Sequence, residues 1–236
     1  MPNFVAVTGE KHKSTKVKRD PSFSHFKSQH LAPLVVHEFA TAAHEYPIFF
    51  VKDNNSEDLR AVVLMGLKPG ENLYYGEKKW NANYVPESLL GYPFALVNDP
   101  NNKEQQLLVC DEESDRLNSE EGDALFDKDG KQTDFTTNLA QFLSASIEKQ
   151  FQTQAFIQKL VDLKLLITKS LDISITDKKS FSIDGVYMVD EAALNKLKDK
   201  EFLELKKLGY LPPIYASLLS MAKVSHLLRL LEQSSK

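Results

Sequence analysis

One cysteine among 236 residues excludes an intrachain disulfide and every zinc motif built on paired cysteines. Cys110 reads as a small buried apolar residue, the usual state of a free thiol, and nothing in the cysteine usage points to an oxidising compartment. Long apolar runs are missing as well. No stretch approaches the roughly 18 apolar residues of a membrane span, and the N-terminal MPNFVAVTGEKHKSTKVKRD has no signal-peptide core. The expectation is a cytoplasmic chain without a membrane span. Net charge is small, 29 Lys and Arg against 33 Asp and Glu for a total of −4, which argues against a nucleic-acid partner. Lys11, Lys13, Lys16, Lys18 and Arg19 do cluster, but no apolar stripe accompanies them, so they read as a solvated arm.

The glycine and histidine fingerprints of common sites are also missing. Gly70 and Gly76 stand five residues apart and precede Glu77 and Lys78, whereas a phosphate loop needs four between the glycines and then Lys with Ser or Thr. His37 and Glu38 open like a zinc-hydrolase motif, yet position 41 is Thr. His44 lies two helical turns on, about 10.5 Å along the axis, too far for one ion to hold both imidazoles. Asp127, Asp129 and Gly130 mimic a calcium loop, but Leu125 and Thr136 occupy its first and last ligand positions. No metal and no cofactor is expected, and residues 127–130 read as a tight turn.

What is present is aromatic. Tyr46, Phe49, Phe50, Tyr74, Tyr75, Trp80, Tyr84, Tyr92 and Phe94 crowd the first 94 residues. Phe49, Phe50 and Phe94 suit a core, while Trp80 and Tyr84, flanked by Lys78, Lys79, Asn81 and Asn83, suit an accessible platform with polar tips.

Periodicity predicts a helix over 34–46. At 100° per residue Val36, Phe39, Ala40, Ala43 and Tyr46 share one side, and His37, Glu38, Thr41, His44 and Glu45 the other. Pro47 stops it, and Ile48 to Val51 reads as a buried strand. A turn at Asp53 to Asn55 leads to a strand over 61–67. Two more, over 94–97 and 107–110, flank the turn-forming NDPNN. A long helix is predicted from Asp134 to about Lys164. Its four-residue apolar steps wander round the axis, so it is either broken near 150–154 or packed on more than one side. Short strands at 171–175, 181–183 and 186–189 take Asp184–Gly185 as a hairpin turn. Helices over 191–197 and 202–208 follow, the second ending at Gly209. A last helix from Pro212 is apolar over most of its circumference and reads as core, with a homodimer interface as the alternative. The fold class is therefore α+β, a mostly antiparallel sheet in the N-terminal half and a helix-rich C-terminal half with a small hairpin. The one compositional boundary, near residue 132, separates 1–132 from 133–236 within what reads as one integrated unit.

Several segments taken in order resemble one bacterial family: HLAPLVVHEF (30–39), EYPIFF (45–50), GENLY (70–74), WNANYVP (80–86), YPF (92–94), VCDEES (109–114), ALFDKDG (124–130), IDGVYMVDE (183–191) and GYLPPIYASLLSM (209–221). The chain resembles the SapC family over nearly its whole length. That resemblance implies an accessory role near bacterial surface-array (S-layer) gene clusters, with related genes beside flavin-dependent halogenases and TonB-dependent receptors. It brings no agreed catalytic residues.

The reading that results is a non-catalytic binding or accessory protein for a protein or peptide partner. Its expected site is Trp80 and Tyr84 for stacking, with His37, Glu38, His44 and Asp111 as polar partners. The alternative is an enzyme acting on a peptide or amino-acid-like substrate through His37, Glu38, His44, Asp111 or Ser114, which requires at least three of them to converge in one pocket. A structural homodimer built on the C-terminal helix is the second alternative.

Overall fold

The computed structural model describes residues 3–53, 56–102, 105–176 and 179–234. The turn expected at Asn54 and Asn55 lies outside them. The fold is α+β, with antiparallel sheets drawn largely from the N-terminal half and a helical C-terminal half. The chain forms two compact units. One comprises Met1–Ser22 and Glu87–Glu148, the other Phe23–Pro86 and Lys149–Lys236, so the chain passes between them three times rather than once near residue 132.

In the first unit the strands Phe94–Asn98 and Gln106–Asp111 pair as a hairpin across the Asn-rich turn, and Phe4–Ala6 adds on the far side of the second. Their apolar face, with Phe94 and Cys110, joins Val17, Leu125 and Phe126 in a core against which Phe135, Leu139 and Leu143 pack. The expected tight turn at 127–130 is present, with Gly130 N bonded to Asp127 O and Asp127 Oδ1 accepting from Asp129 N and Lys131 N.

In the second unit five antiparallel strands run in the order Leu166–Thr176, Lys179–Val189, Ile48–Lys52, Leu59–Leu64, Leu31–Pro33. The predicted hairpin of the C-terminal half is thus not separate. It is the long edge of the N-terminal sheet, joined by Val186 opposite Val51 and Tyr187 opposite Phe50. Asp184–Gly185 is not its turn either. Thr176 pairs with Lys179, and Asp184–Gly185 lies within the second strand, where two residues face one on the partner and Gly185 takes φ +72°, a bulge that only glycine adopts without strain.

The helix Asp134–Asp162 is unbroken, which settles the wandering stripe in favour of packing on more than one side. Its first half serves the first unit through Phe135, Leu139 and Leu143. Its second half serves the other, where Phe156 stands edge-on to Phe39 at 5.7 Å and to Tyr210 at 5.1 Å.

The helix Asp199–Lys207 ends as expected. Gly209 at φ +73° bonds Lys206 O, and Tyr210 N bonds Leu205 O, a Schellman stop that turns the chain sharply into the helix Leu211–Ser220. The expectation that this last helix is buried over most of its circumference needs correcting. Ile214, Ser217 and Ser220 form its buried side, with Ser220 Oγ accepting Ile48 N at 3.0 Å, while Tyr215 and Leu219 face outward, 44% and 74% exposed. A 3₁₀ turn, Met221–Lys223, separates it from the helix Val224–Ser234. Against the expectation from hydropathy, Leu211–Gln233 is long and apolar enough by length and composition to cross a membrane, a test that core helices of soluble proteins also pass.

Candidate functional site

The segment predicted as one helix over 34–46 is a 3₁₀ turn, Val36–Glu38, followed by a single α turn, Phe39–Ala42. A 3₁₀ turn advances 120° per residue instead of 100°, so consecutive side chains diverge more than the α-helical reading assumed. His37 is exposed, and Glu38, expected on the same wet side, is 4% exposed. Val36 N ties the turn to the long helix through Thr153 Oγ1 at 2.8 Å.

Glu38 lies in a network of aromatic side chains. One carboxylate oxygen accepts Val35 N at 3.1 Å and the other accepts the Tyr84 hydroxyl. The Tyr46 hydroxyl donates to Tyr84 O, and Trp80 Nε1 donates to both the Tyr46 hydroxyl at 3.1 Å and Tyr84 O at 3.3 Å. Tyr46 and Tyr74 are fully buried with ring centroids 4.5 Å apart, and the Tyr74 hydroxyl donates to Glu45 O at 2.6 Å. Burial pushes both phenols well above the usual tyrosine range. Asn83 Nδ2 donates to Glu45 Oε1 at 2.7 Å, and Phe23 stands at 5.8 Å from the Trp80 ring. The turn at 36–38 and the segment 80–86 therefore meet, as the binding hypothesis required, but as a closed lock. The indole N–H of Trp80 and the phenol of Tyr84 are engaged within the protein, so the polar tips expected to face a partner are taken up, while both residues stay half-buried.

The remaining candidates are placed elsewhere. His44 is exposed, and its Nδ1 donates to Ala40 O at 2.8 Å. Asp111 and Ser114 are buried in the first unit, where Asp111 accepts Asn3 N at 3.0 Å, Glu113 N at 3.3 Å and the Tyr92 hydroxyl at 3.1 Å, the bonding of a turn held in place. Cys110 is buried as expected. Its Sγ lies 3.7 Å from Nε2 of His12, a histidine that no sequence motif marks. His12 Nδ1 accepts Thr8 N, which leaves the ring proton on Nε2 facing the sulfur. Burial pushes the Cys110 thiol up to about 11, so this pair is not an activated nucleophile.

Among the expected site residues, His37 lines an open cleft of about 410 Å³ with Val36, Gln152, Ala155, Leu208, Gly209, Tyr210 and Pro213. Gln152 and Ala155 share a face of the long helix at i, i+3, and Leu208 to Pro213 come from the Gly209 corner. The sequence offered Gly209 and Pro212–Pro213 as a corner, but nothing marked Gln152 or Tyr210 as companions of His37.

The family model of SapC matches residues 7–227. The chain belongs to the SapC family. No match to a curated protein or to a solved structure is found. The SapC match spans both units, including the lock, the cleft and the Leu211–Ser220 helix.

Proposed function

We propose that this SapC protein is a non-catalytic accessory that binds a protein or peptide partner, in the surface-array or uptake setting that the family resemblance implies. The observation that carries this reading is an uncharged, outward-facing stripe. No residue from Leu208 to Ala222 bears a charge in a chain that is 26% charged, and Leu208, Tyr215 and Leu219 are exposed. Tyr215 and Leu219, four residues apart, lie on one face of their helix, the arrangement of an aromatic and an aliphatic anchor at a protein interface. Three of the five groups proposed for catalysis support it from the other side, since Glu38 is consumed by the lock, His44 bonds its own turn and Asp111 holds a loop.

The test is cross-linked capture from the native cells with the wild-type chain and with Tyr215→Asp/Leu219→Asp, after thermal melts show that both are folded. One or a few proteins whose recovery falls by about tenfold or more in the variant are expected, an interface anchor being worth at least that. Capture that ignores the stripe overturns the reading. So does a variant-sensitive dimer in sedimentation, which would make a second copy the occupant, or variant-sensitive pelleting with anionic vesicles, which would make it a membrane.

A further inference from the structure

The geometry points to the cleft beside His37 as a binding site for an uncharged peptide segment carrying a bulky apolar side chain, an inference that rests on the binding role proposed above and specifies its ligand. Three observations converge on it. The first is charge. None of the lining residues, Val36, His37, Gln152, Ala155, Leu208, Gly209, Tyr210 and Pro213, is Asp, Glu, Lys or Arg. A phosphate, a carboxylate or an ammonium would find no counter-ion there, and an ionic ligand would lose hydration without compensation.

The second is unspent hydrogen-bonding capacity. The side chains of His37, Gln152 and Tyr210 make no hydrogen bond among the described residues. An amide side chain offers both donor and acceptor, as does a phenol and a neutral imidazole, so the set matches the alternating N–H and C=O groups of a peptide backbone. The contrast with Tyr46, Trp80 and Tyr84, whose polar tips are all engaged by protein, shows that this fold closes polar aromatic groups on one another where they serve structure.

The third is size and rigidity. The volume of about 410 Å³ falls within the range of ligand pockets, roughly 300–1,000 Å³. Its walls are preformed: Thr153 fixes Val36, the Schellman stop fixes Gly209, and Phe156 fixes the Tyr210 ring edge-on at 5.1 Å. Pre-organised walls lower the ordering cost of binding.

The experiment titrates the full-length ¹⁵N-labelled chain with N-acetyl-phenylalaninamide and N-acetyl-leucinamide as probes, and with the N-acetyl amides of Asp and Lys as charged controls. Saturable shifts of the Gln152 side-chain amide and the Gly209 backbone amide are expected with the neutral probes, and about tenfold weaker binding of the charged ones. Ala155→Trp, which fills the cleft from an exposed helix position, and His37→Ala/Gln152→Ala, which strips its polar tips, should each weaken the neutral probes with unchanged melting temperature. Absence of saturable shifts, shifts indifferent to both variants, or charged probes binding equally well would overturn the inference. Partner capture that depends on Tyr215 and Leu219 while the cleft takes no probe would sink this site and leave the binding role standing. Probe binding without a captured partner would do the reverse.

Discussion

His37 and Glu38 are consecutive residues on one short turn, yet they serve opposite kinds of surroundings. Glu38 enters a lock in which the Tyr84 hydroxyl, Val35 N, Trp80 Nε1 and the Tyr46 hydroxyl all find partners within the protein. His37 lines a cleft where imidazole, amide and phenol have none among the described residues. The difference teaches where to look for function in a chain rich in aromatic residues. Buried polar groups that are satisfied specify and hold a structure, whereas solvated polar groups along a rigid wall stay open to a ligand's donors and acceptors.

The sharpest way to break that comparison is to truncate both neighbours. Glu38→Ala strips the acceptor from Val35 N and from the Tyr84 hydroxyl and should cost about 2–4 kcal/mol of stability in urea unfolding. His37→Ala removes an exposed side chain without a protein partner and should change stability by no more than about 0.5 kcal/mol. Equal losses would mean that the two regions do not differ in kind. Tyr46→Phe sharpens the same contrast at lower amplitude, about 1–2 kcal/mol, because it removes one hydroxyl shared between Trp80 Nε1 and Tyr84 O while keeping the ring against Tyr74.

Much of this architecture was legible in the sequence because the deciding interactions are local. The hairpin of Phe94–Asn98 and Gln106–Asp111 follows from two apolar runs about an Asn-rich turn, and the stop at Gly209 from a periodic segment ending in glycine. The direction of Glu38 was not legible, for two physical reasons. A 3₁₀ turn is not distinguished from an α turn by apolar spacing over three residues. The partner that makes burial of a carboxylate tolerable, Tyr84, lies 46 residues away. The cleft was hidden by distance too, since His37, Gln152 and Tyr210 come from three separate elements. Asp184–Gly185 misled for a subtler reason: the positive φ that glycine supplies serves a bulge as well as a turn, and the longer pairing from Leu166 to Val189 decided which.

A smaller effect is expected at the tip of the hairpin that leads into Trp80. Gly76 pairs with Lys79, so Glu77 and Lys78 form a two-residue loop, both with left-handed φ, +52° and +60°. This is the geometry of a type I′ turn, which favours Asn-Gly over Glu-Lys because side chains crowd the backbone there. Glu77→Asn/Lys78→Gly should therefore stabilise the chain by about 1 kcal/mol, read as a rise in the urea midpoint with unchanged slope. If the lock is structural, that gain comes with partner capture intact. A loss of capture would return the tip and Trp80 to the list of contact residues.

The smallest effect concerns protons. His226 stands with its ring 6.0 Å from that of Tyr74, and burial, helped by Arg229 and Lys223 and opposed by Glu45, holds its pKa below the ordinary histidine value. The unfolded chain therefore takes up this proton at a higher pH than the folded one. The associated stability is fully present above the unfolded value, near 6.5, and is lost as the pH falls through the folded value. His30, whose pKa burial also lowers, acts in the same direction. Urea unfolding at about pH 7.5 and about pH 5.5 should show a drop that is smaller in His226→Phe, which keeps an aromatic ring beside Tyr74 and cannot titrate. Solvent reaches part of the imidazole, so the difference between variant and wild type should be less than that at the hairpin tip. An undiminished drop in the variant would show that the chain's proton sensitivity resides outside His226.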